Sequence, residues 1–200
     1  RKVLDNAGIE LPEIYISLNI DSTFPTYSPK LSAIIRDSKD RNLLITLHLH
    51  SELYKNNPLD GDLKFVEMLT ELADYAAGYH VNLAIYPHFS FYCESVDHAL
   101  KLAKMVERPN LGVVFNLCHF LKVEGQQQME ENVKRAIPYL KMVSICGADL
   151  GDTKNMDWSK LIQPLGSGSF DTYYFVKILK DNGYNGMFGL QCFNIKVDAQ

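Results

Sequence analysis

Leu43-Leu44-Ile45-Thr46-Leu47-His48-Leu49-His50 is the segment on which the fold turns. Side chains of an extended chain point alternately to two faces, so these residues sort into two rows. Leu43, Ile45, Leu47 and Leu49 form a wholly apolar row. Leu44, Thr46, His48 and His50 form a second row that turns polar toward its C-terminal end. Val81–His88 repeats the pattern, with Val81, Leu83 and Ile85 set against Asn82, Ala84, Tyr86 and His88. So does Leu111–Cys118, where Leu111, Val113, Phe115 and Leu117 oppose Gly112, Val114, Asn116 and Cys118. Ile14–Ile20, Lys141–Ala148 and Met187–Phe193 sort in the same way.

Between these runs lie helical patterns near Pro29–Ser38, Leu63–Ala77, Ser95–Val106, Gln128–Leu140 and Asp171–Asp181. Phe65, Met68, Leu69, Leu72 and Tyr75 recur at helical spacing as one apolar stripe. Gly8, Gly78 and Gly183 fall where helices should stop, as left-handed caps. Strands alternating with helices imply a parallel α/β sheet with right-handed crossovers. A doubly wound sheet needs both rows apolar, because helices cover both faces. A (β/α)8 TIM barrel needs an apolar row facing its outer helices and an inner row that becomes polar at the mouth. The pattern therefore predicts a barrel. Six strands are visible, and closure takes about eight. The opening Arg1-Lys2-Val3-Leu4-Asp5 reads as the end of a helix already under way. The expectation is a single partial-barrel domain over 1–200, with its first two strand–helix units preceding Arg1.

The chain has 200 residues, 20 Lys+Arg against 24 Asp+Glu and a net charge of −4, which supplies no phosphate-attracting field and argues against nucleic acid as a partner. No apolar run is long enough to span a bilayer. Localisation is left between cytoplasm and, given an upstream signal peptide, periplasm or secretion. Cys93, Cys118, Cys146 and Cys192 lie far apart without a C-x-x-C pair, as free thiols rather than a zinc ribbon or disulfide scaffold.

In a barrel the strand ends bring Asn19, His48, His50, Tyr86, His88, Asn116, His119, Ser144, Asp149 and Gln191 to one mouth. His80 and His98 fall elsewhere, on a loop and a helix. Converging histidines can bind a metal, move protons at neutral pH or hydrogen-bond sugar hydroxyls; the plainer alternative is that each satisfies a structural hydrogen bond. His48 and His50 share a face, as paired ligands do. Asp149, the carboxylate of this set, could orient a histidine or complete a metal site. Trp158 and Asp157 could close over the mouth or pack beneath the loop. The loop Gln163-Pro164-Leu165-Gly166-Ser167-Gly168-Ser169-Phe170-Asp171 reads either as a weak phosphate-binding signal or as a turn ending in a Ser169 cap.

Four segments carry a family resemblance. Leu83-Ala84-Ile85-Tyr86-Pro87-His88 resembles the "aiEnH" strand of the xylose isomerase-like sugar phosphate isomerase/epimerase superfamily. Asn110 through His119 resembles its "pnlg..fDlgH" strand, the loop 163–171 is similar to "PlGeGdvD", and Gly183 through Gln191 is similar to "GY.G.l.lE". The resemblance implies a TIM barrel, a carbohydrate substrate, and one divalent cation (Mn, Zn or Co) held by two Glu, an Asp and a His. By position those ligands fall on Tyr86, Asn116, near Ser144 and on Gln191, so none is retained, while the accompanying histidines survive as His88 and His119. Hard cations want anionic oxygen ligands, and an amide cannot act as a base. A cation here would rest on His88, His119 and Asp149.

The leading reading is an isomerase or epimerase, or a related sugar lyase, that moves a proton on a keto-sugar. His50, His88 and His119 are its acid/base candidates. Tyr86, Asn116, Gln191, His48 and Trp158 would hold the small-molecule carbohydrate, and Tyr15 and Phe193 suit stacking on its C–H face. A non-catalytic carbohydrate-binding relative that lost the metal is the alternative, and an AP endonuclease-like nuclease the weaker one. Self-association as a homo-oligomer is compatible with either.

Overall fold

The computed structural model describes residues 2–21 and 29–196. Strands β1 (Glu13–Asn19), β2 (Leu44–His50), β3 (Asn82–Ile85), β4 (Leu111–Asn116), β5 (Leu140–Ile145) and β6 (Met187–Leu190) form one parallel sheet in sequential order. Helices α1 (Lys2–Asn6), α2 (Pro29–Asp37), α3 (Pro58–Ala77), α4 (Val96–Val106), α5 (Leu117–Val123), α6 (Met129–Ala136), α7 (Trp158–Leu161) and α8 (Thr172–Asp181) connect them. Among the described residues β1 pairs with β2 alone and β6 with β5 alone, so the sheet is a half-barrel with two open edges. Nor is any helix among them long and apolar enough to cross a membrane.

The two rows of each strand separate into two apolar clusters. Ile45, Leu47, Leu49, Leu83, Ile85, Val113, Phe115 and Val143 belong to the main core, packed beneath the helices. Leu44, Ala84, Tyr86, Val114 and Met142 form a smaller cluster on the concave side. Phe115 shows how the outer row is used: its ring meets Phe120 of α5 at 4.8 Å and Phe175 of α8 at 5.3 Å. The α3 stripe docks as its spacing requires, with Phe65, Leu69 and Leu72 fully buried.

Several local readings need correction. Gly8 and Gly183 take left-handed conformations, at φ +66° and +88°. Gly78 does not: its φ is −62°, and the positive φ falls two residues later on His80, at +57°. His80 holds that turn with Nδ1 2.9 Å from Asp40. The helix expected over Gln128–Leu140 ends at Ala136, and Ile137–Tyr139, containing Pro138, forms a 3-10 turn into β5. Asp171 rather than Ser169 caps α8, accepting the Tyr174 N–H at 2.8 Å. Ser169 Oγ accepts the Leu150 N–H instead. The helices α5 and α7 were not anticipated. Both are short, and their caps Asn116 and Asp157 sit in segments whose strand or loop character dominates the pattern.

Candidate active site

Because the strands run parallel, their C-terminal ends share one rim. A cavity of about 670 Å³ opens on the concave side, and Tyr15, Tyr86, His88, His119, Trp158 and Gln191 are among its walls. Ser144 and Phe193 line it as well.

The segment after β3 sets the histidines. His88 N–H donates to Cys93 O at 2.9 Å and Phe91 N–H to His88 O at 3.1 Å, folding 88–93 into a compact turn. Tyr92 ties that turn to the body: its N–H donates to Leu49 O, and its hydroxyl donates to Asp62 of α3 at 2.9 Å. His88 Nδ1 lies 2.7 Å from Phe89 O. A carbonyl only accepts, so Nδ1 carries the proton and Nε2 keeps its lone pair. His119 has the complementary tautomer, since its Nδ1 accepts the Phe89 N–H at 3.3 Å and Nε2 is left to carry the proton. The two rings are 4.0 Å apart between centroids. Burial lowers the pKa of both, that of His119 to about 3, so both are neutral at pH 7.

Beneath them, Asn116 links β4, α5 and Tyr86. Its Oδ1 caps α5 by accepting the His119 N–H at 3.3 Å, and also accepts from the Cys118 thiol at 3.0 Å. Its Nδ2 donates to the Tyr86 hydroxyl oxygen. That oxygen accepts from Asn116, so the Tyr86 O–H proton is not spent on this contact, and burial keeps the phenol protonated.

The remaining expected residues divide. His48 and His50 are not among the cavity walls. His48 Nδ1 and His50 Nε2 are 2.7 Å apart; the His48 ring stacks on Tyr15 at 4.2 Å and the His50 ring packs on Phe91 at 3.8 Å. They form the backing of an aromatic belt, with Phe91 stacked at 3.9 Å on His88. Burial pushes the pKa of His48 down to about 4 and lowers that of His50. Trp158 lies against His119 at 5.3 Å and Phe89 at 5.7 Å, at the wall rather than under the loop. Asn19 accepts the Asp21 N–H beyond β1. Asp149 turns away, accepting from Ser169 N–H at 3.1 Å and pairing with Lys160 at 3.4 Å. Glu13 was overlooked by the sequence reading. It opens β1 on the concave row, lines the cavity, and accepts the Thr46 hydroxyl at 2.7 Å. Carrying the alternation of β1 one residue back from Ile14 would have found it.

The residues present do not fit the divalent cation that the resemblance implies. Among the described residues no three His, Cys, Asp or Glu side chains gather as a metal-binding group, so Asp149 does not join His88 and His119. At the four carried-over positions stand a protonated phenol, an alcohol, a Gln191 amide oxygen that already accepts the Phe193 N–H, and an Asn116 amide committed at both ends. Such a neutral donor set compensates little of a hard cation's charge.

Residues 40–200 match the family described as xylose isomerase-like TIM barrel. Among curated proteins none matches this sequence. Solved structures share the fold at low identity. The IolI protein, crystallised with a zinc atom, is 17% identical with a TM-score of 0.75 over 96% of this chain and 72% of that one. The Escherichia coli 3-keto-D-glucoside 4-epimerase YcjR, in its apo form, is 12% identical with a TM-score of 0.75, covering 99% of this chain and 77% of that one. A Mycobacterium smegmatis xylose isomerase-like TIM-barrel protein in complex with magnesium is 16% identical with a TM-score of 0.72, covering 100% and 71%.

Proposed function

Since the chain belongs to the xylose isomerase-like TIM-barrel family, we propose that it is an isomerase- or epimerase-type enzyme that moves a proton on a keto-sugar without a metal ion. The observation that carries this reading is the pair of neutral histidines in opposite tautomers on one cavity wall. His88 offers an unprotonated Nε2 as base, and His119 offers an Nε2–H as donor. His88 Nε2 takes the proton from the carbon beside the carbonyl. The C–H electron pair becomes a C=C bond and the carbonyl oxygen an enolate oxygen. The Tyr86 O–H and His119 Nε2–H hydrogen-bond that oxygen as charge develops, which is where preorganised donors act most strongly. Return of the proton to the neighbouring carbon, after the enediolate proton shifts between oxygens, gives the isomer. Protonation of the original carbon on its other face, by a second acid or by water while His88 keeps the proton it removed, gives the epimer. Neutral imidazole suits the donor role, because a positive charge there would have to be buried.

The test is exchange of substrate carbon-bound hydrogen with D₂O, followed by NMR over a panel of free ketoses. His88→Gln is expected to lower the exchange rate about 10²–10⁴-fold while leaving sugar binding in place. Unchanged exchange in the variant would remove His88 as the base. The neutral groups at the four carried-over ligand positions favour a second reading, a sugar-binding protein without turnover. Its signature is binding with no exchange in the wild type. The net charge of −4 lends no support to a nuclease.

A further inference from the structure

His88 lies outside the sheet, three residues past the end of β3 at Ile85, in the irregular segment that leads to α4. Within its own turn, its N–H is bonded to Cys93 O and its ring is stacked on Phe91. A base has to be held to a fraction of an ångström, and a turn by itself does not supply that. Tyr92 supplies the tie to the rest of the fold. Its N–H donates to Leu49 O of β2 at 3.0 Å, and its ring packs on Phe65 of α3 at 4.7 Å. Its hydroxyl reaches Asp62 Oδ1 at 2.9 Å, with Pro58 O a second acceptor at 2.8 Å. Gly61 makes the room for that hydroxyl: a Cβ there would strike the Tyr92 hydroxyl and crowd Tyr54 Cβ at 2.8 Å. Glycine is among the least favourable residues inside a helix, yet α3 carries one on its buried face at this point.

Asp62 is 1% exposed, and both of its oxygens are engaged. Oδ1 accepts from Tyr92 and from His98 Nε2 at 2.7 Å, and Oδ2 accepts from Lys101 Nζ at 2.7 Å. Burial alone would raise its pKa, but the hydrogen bonds from Lys101, His98 and Tyr92 outweigh it, so the carboxyl stays ionised. His98 and Lys101 belong to α4, so the cluster also locks α3 to the helix that the turn leads into. Ser95 secures the start of that helix by accepting the His98 N–H at 3.1 Å. A buried ionic cluster adds little net stability over an apolar one of the same volume, whereas its directional bonds accept one geometry. We propose that Tyr92 and Asp62, with Gly61 making room for the hydroxyl, are positioning residues that hold His88 in its Nδ1–H tautomer beside His119. This inference rests on the reading of His88 as the base and adds to it what keeps that base in place.

Three variants test it. Tyr92→Phe keeps the ring and deletes the hydroxyl. Gly61→Ala keeps every polar group and displaces the hydroxyl. Ile178→Ala opens a cavity under α8, the helix that packs on Phe115 of β4, and controls for a general loss of stability. The readout is long-range nitrogen-15 NMR of the histidine rings at pH 7, which separates protonated from bare ring nitrogens without any substrate. The wild type is expected to show His88 as a single Nδ1–H species. In Tyr92→Phe and Gly61→Ala its two nitrogen shifts are expected to move toward each other, as the second tautomer is populated to about a tenth or more. His80, in its own turn with Asp40, is expected to stay unchanged. On any ketose that the wild type exchanges, the same two variants are expected to lose about 10–10²-fold in exchange rate at saturation, with the half-saturating concentration kept within about twofold. A His88 that keeps its shifts in both variants overturns the inference. So does an Ile178→Ala protein in which the His88 shifts move as far. Shifts that move as expected in a protein that exchanges no ketose support the tether and remove the isomerase reading instead.

Discussion

His119 carries two burdens at once. It is the donor of the proposed reaction and a buried group whose charging the fold opposes. Burial holds its pKa near 3, against about 6.5 for a free imidazole. Above pH 6.5 the ring is neutral in both the folded and the unfolded chain, and the linkage is silent. Between pH 6.5 and about 3 the unfolded chain binds the proton and the folded chain does not, so acid favours unfolding. The slope from this one ring approaches about 1.4 kcal/mol per pH unit well below 6.5. His119→Asn keeps an acceptor for the Phe89 N–H and removes the titration. Urea unfolding at pH 7, 6 and 5 is expected to show a smaller acid-side loss in the variant than in the wild type. Identical slopes would assign the uptake of protons elsewhere, His48 being the next group with a pKa pushed down to about 4. At this scale the sequence supplied the histidines and their rim, but not their roles. Nothing in the spacing of His48 and His50 says that Tyr15 and Phe91 would cover them. Asp149 looked like the carboxylate of the site because it follows a strand end. Lys160 and Ser169 come from later in the chain, and one sequence does not reveal that they would claim it.

The loop 163–171 is the element whose sequence is most easily misread, since glycines, serines and a following helix also describe an anion cradle. Space separates the two functions. Gly166 has φ +87° with nothing near its would-be Cβ, whereas Gly168 has φ +83° with the Ala148 carbonyl in the way. Gly166→Ala is expected to cost about 1–2 kcal/mol, the strain of a left-handed alanine. Gly168→Ala is expected to cost about 2–5 kcal/mol, because overpacking adds about 1–3. Thermal and chemical unfolding of the two variants measures the difference, and equal costs would mean that the loop does not bear on β5 as closely as described. Strand and helix positions came through well in the sequence because each carries a period. Caps came through poorly because they depend on one or two side chains. Asp171 outcompetes Ser169, and His80 takes the left-handed position expected of Gly78.

For the whole molecule, the alternation within single strands foretold one apolar row facing the helices and one mixed row inside, and the apolar members of that inner row pack as a second, smaller cluster. It also foretold open edges, because six strands of this kind do not close. The consequence is a gradient of protection across the sheet. β2 through β5 each have a ladder on both sides, and β4 is buried at every residue. Among the described residues β1 and β6 are paired on one side only, and Leu190 at the end of β6 is 63% exposed. Local opening needs less free energy where fewer apolar contacts are lost, so the edge amides exchange through partial openings while the central ones wait for global unfolding. Hydrogen exchange read by mass spectrometry is expected to show β1 and β6 at least about tenfold faster than β3 and β4. The same edges are unpaired parallel strands, the surfaces through which sheets recruit further strands. If β1 and β6 prove as protected as the centre, something covers them in solution. Repeating the exchange across a hundredfold range of protein concentration then separates a second copy, whose cover thins on dilution, from cover within the chain, which does not.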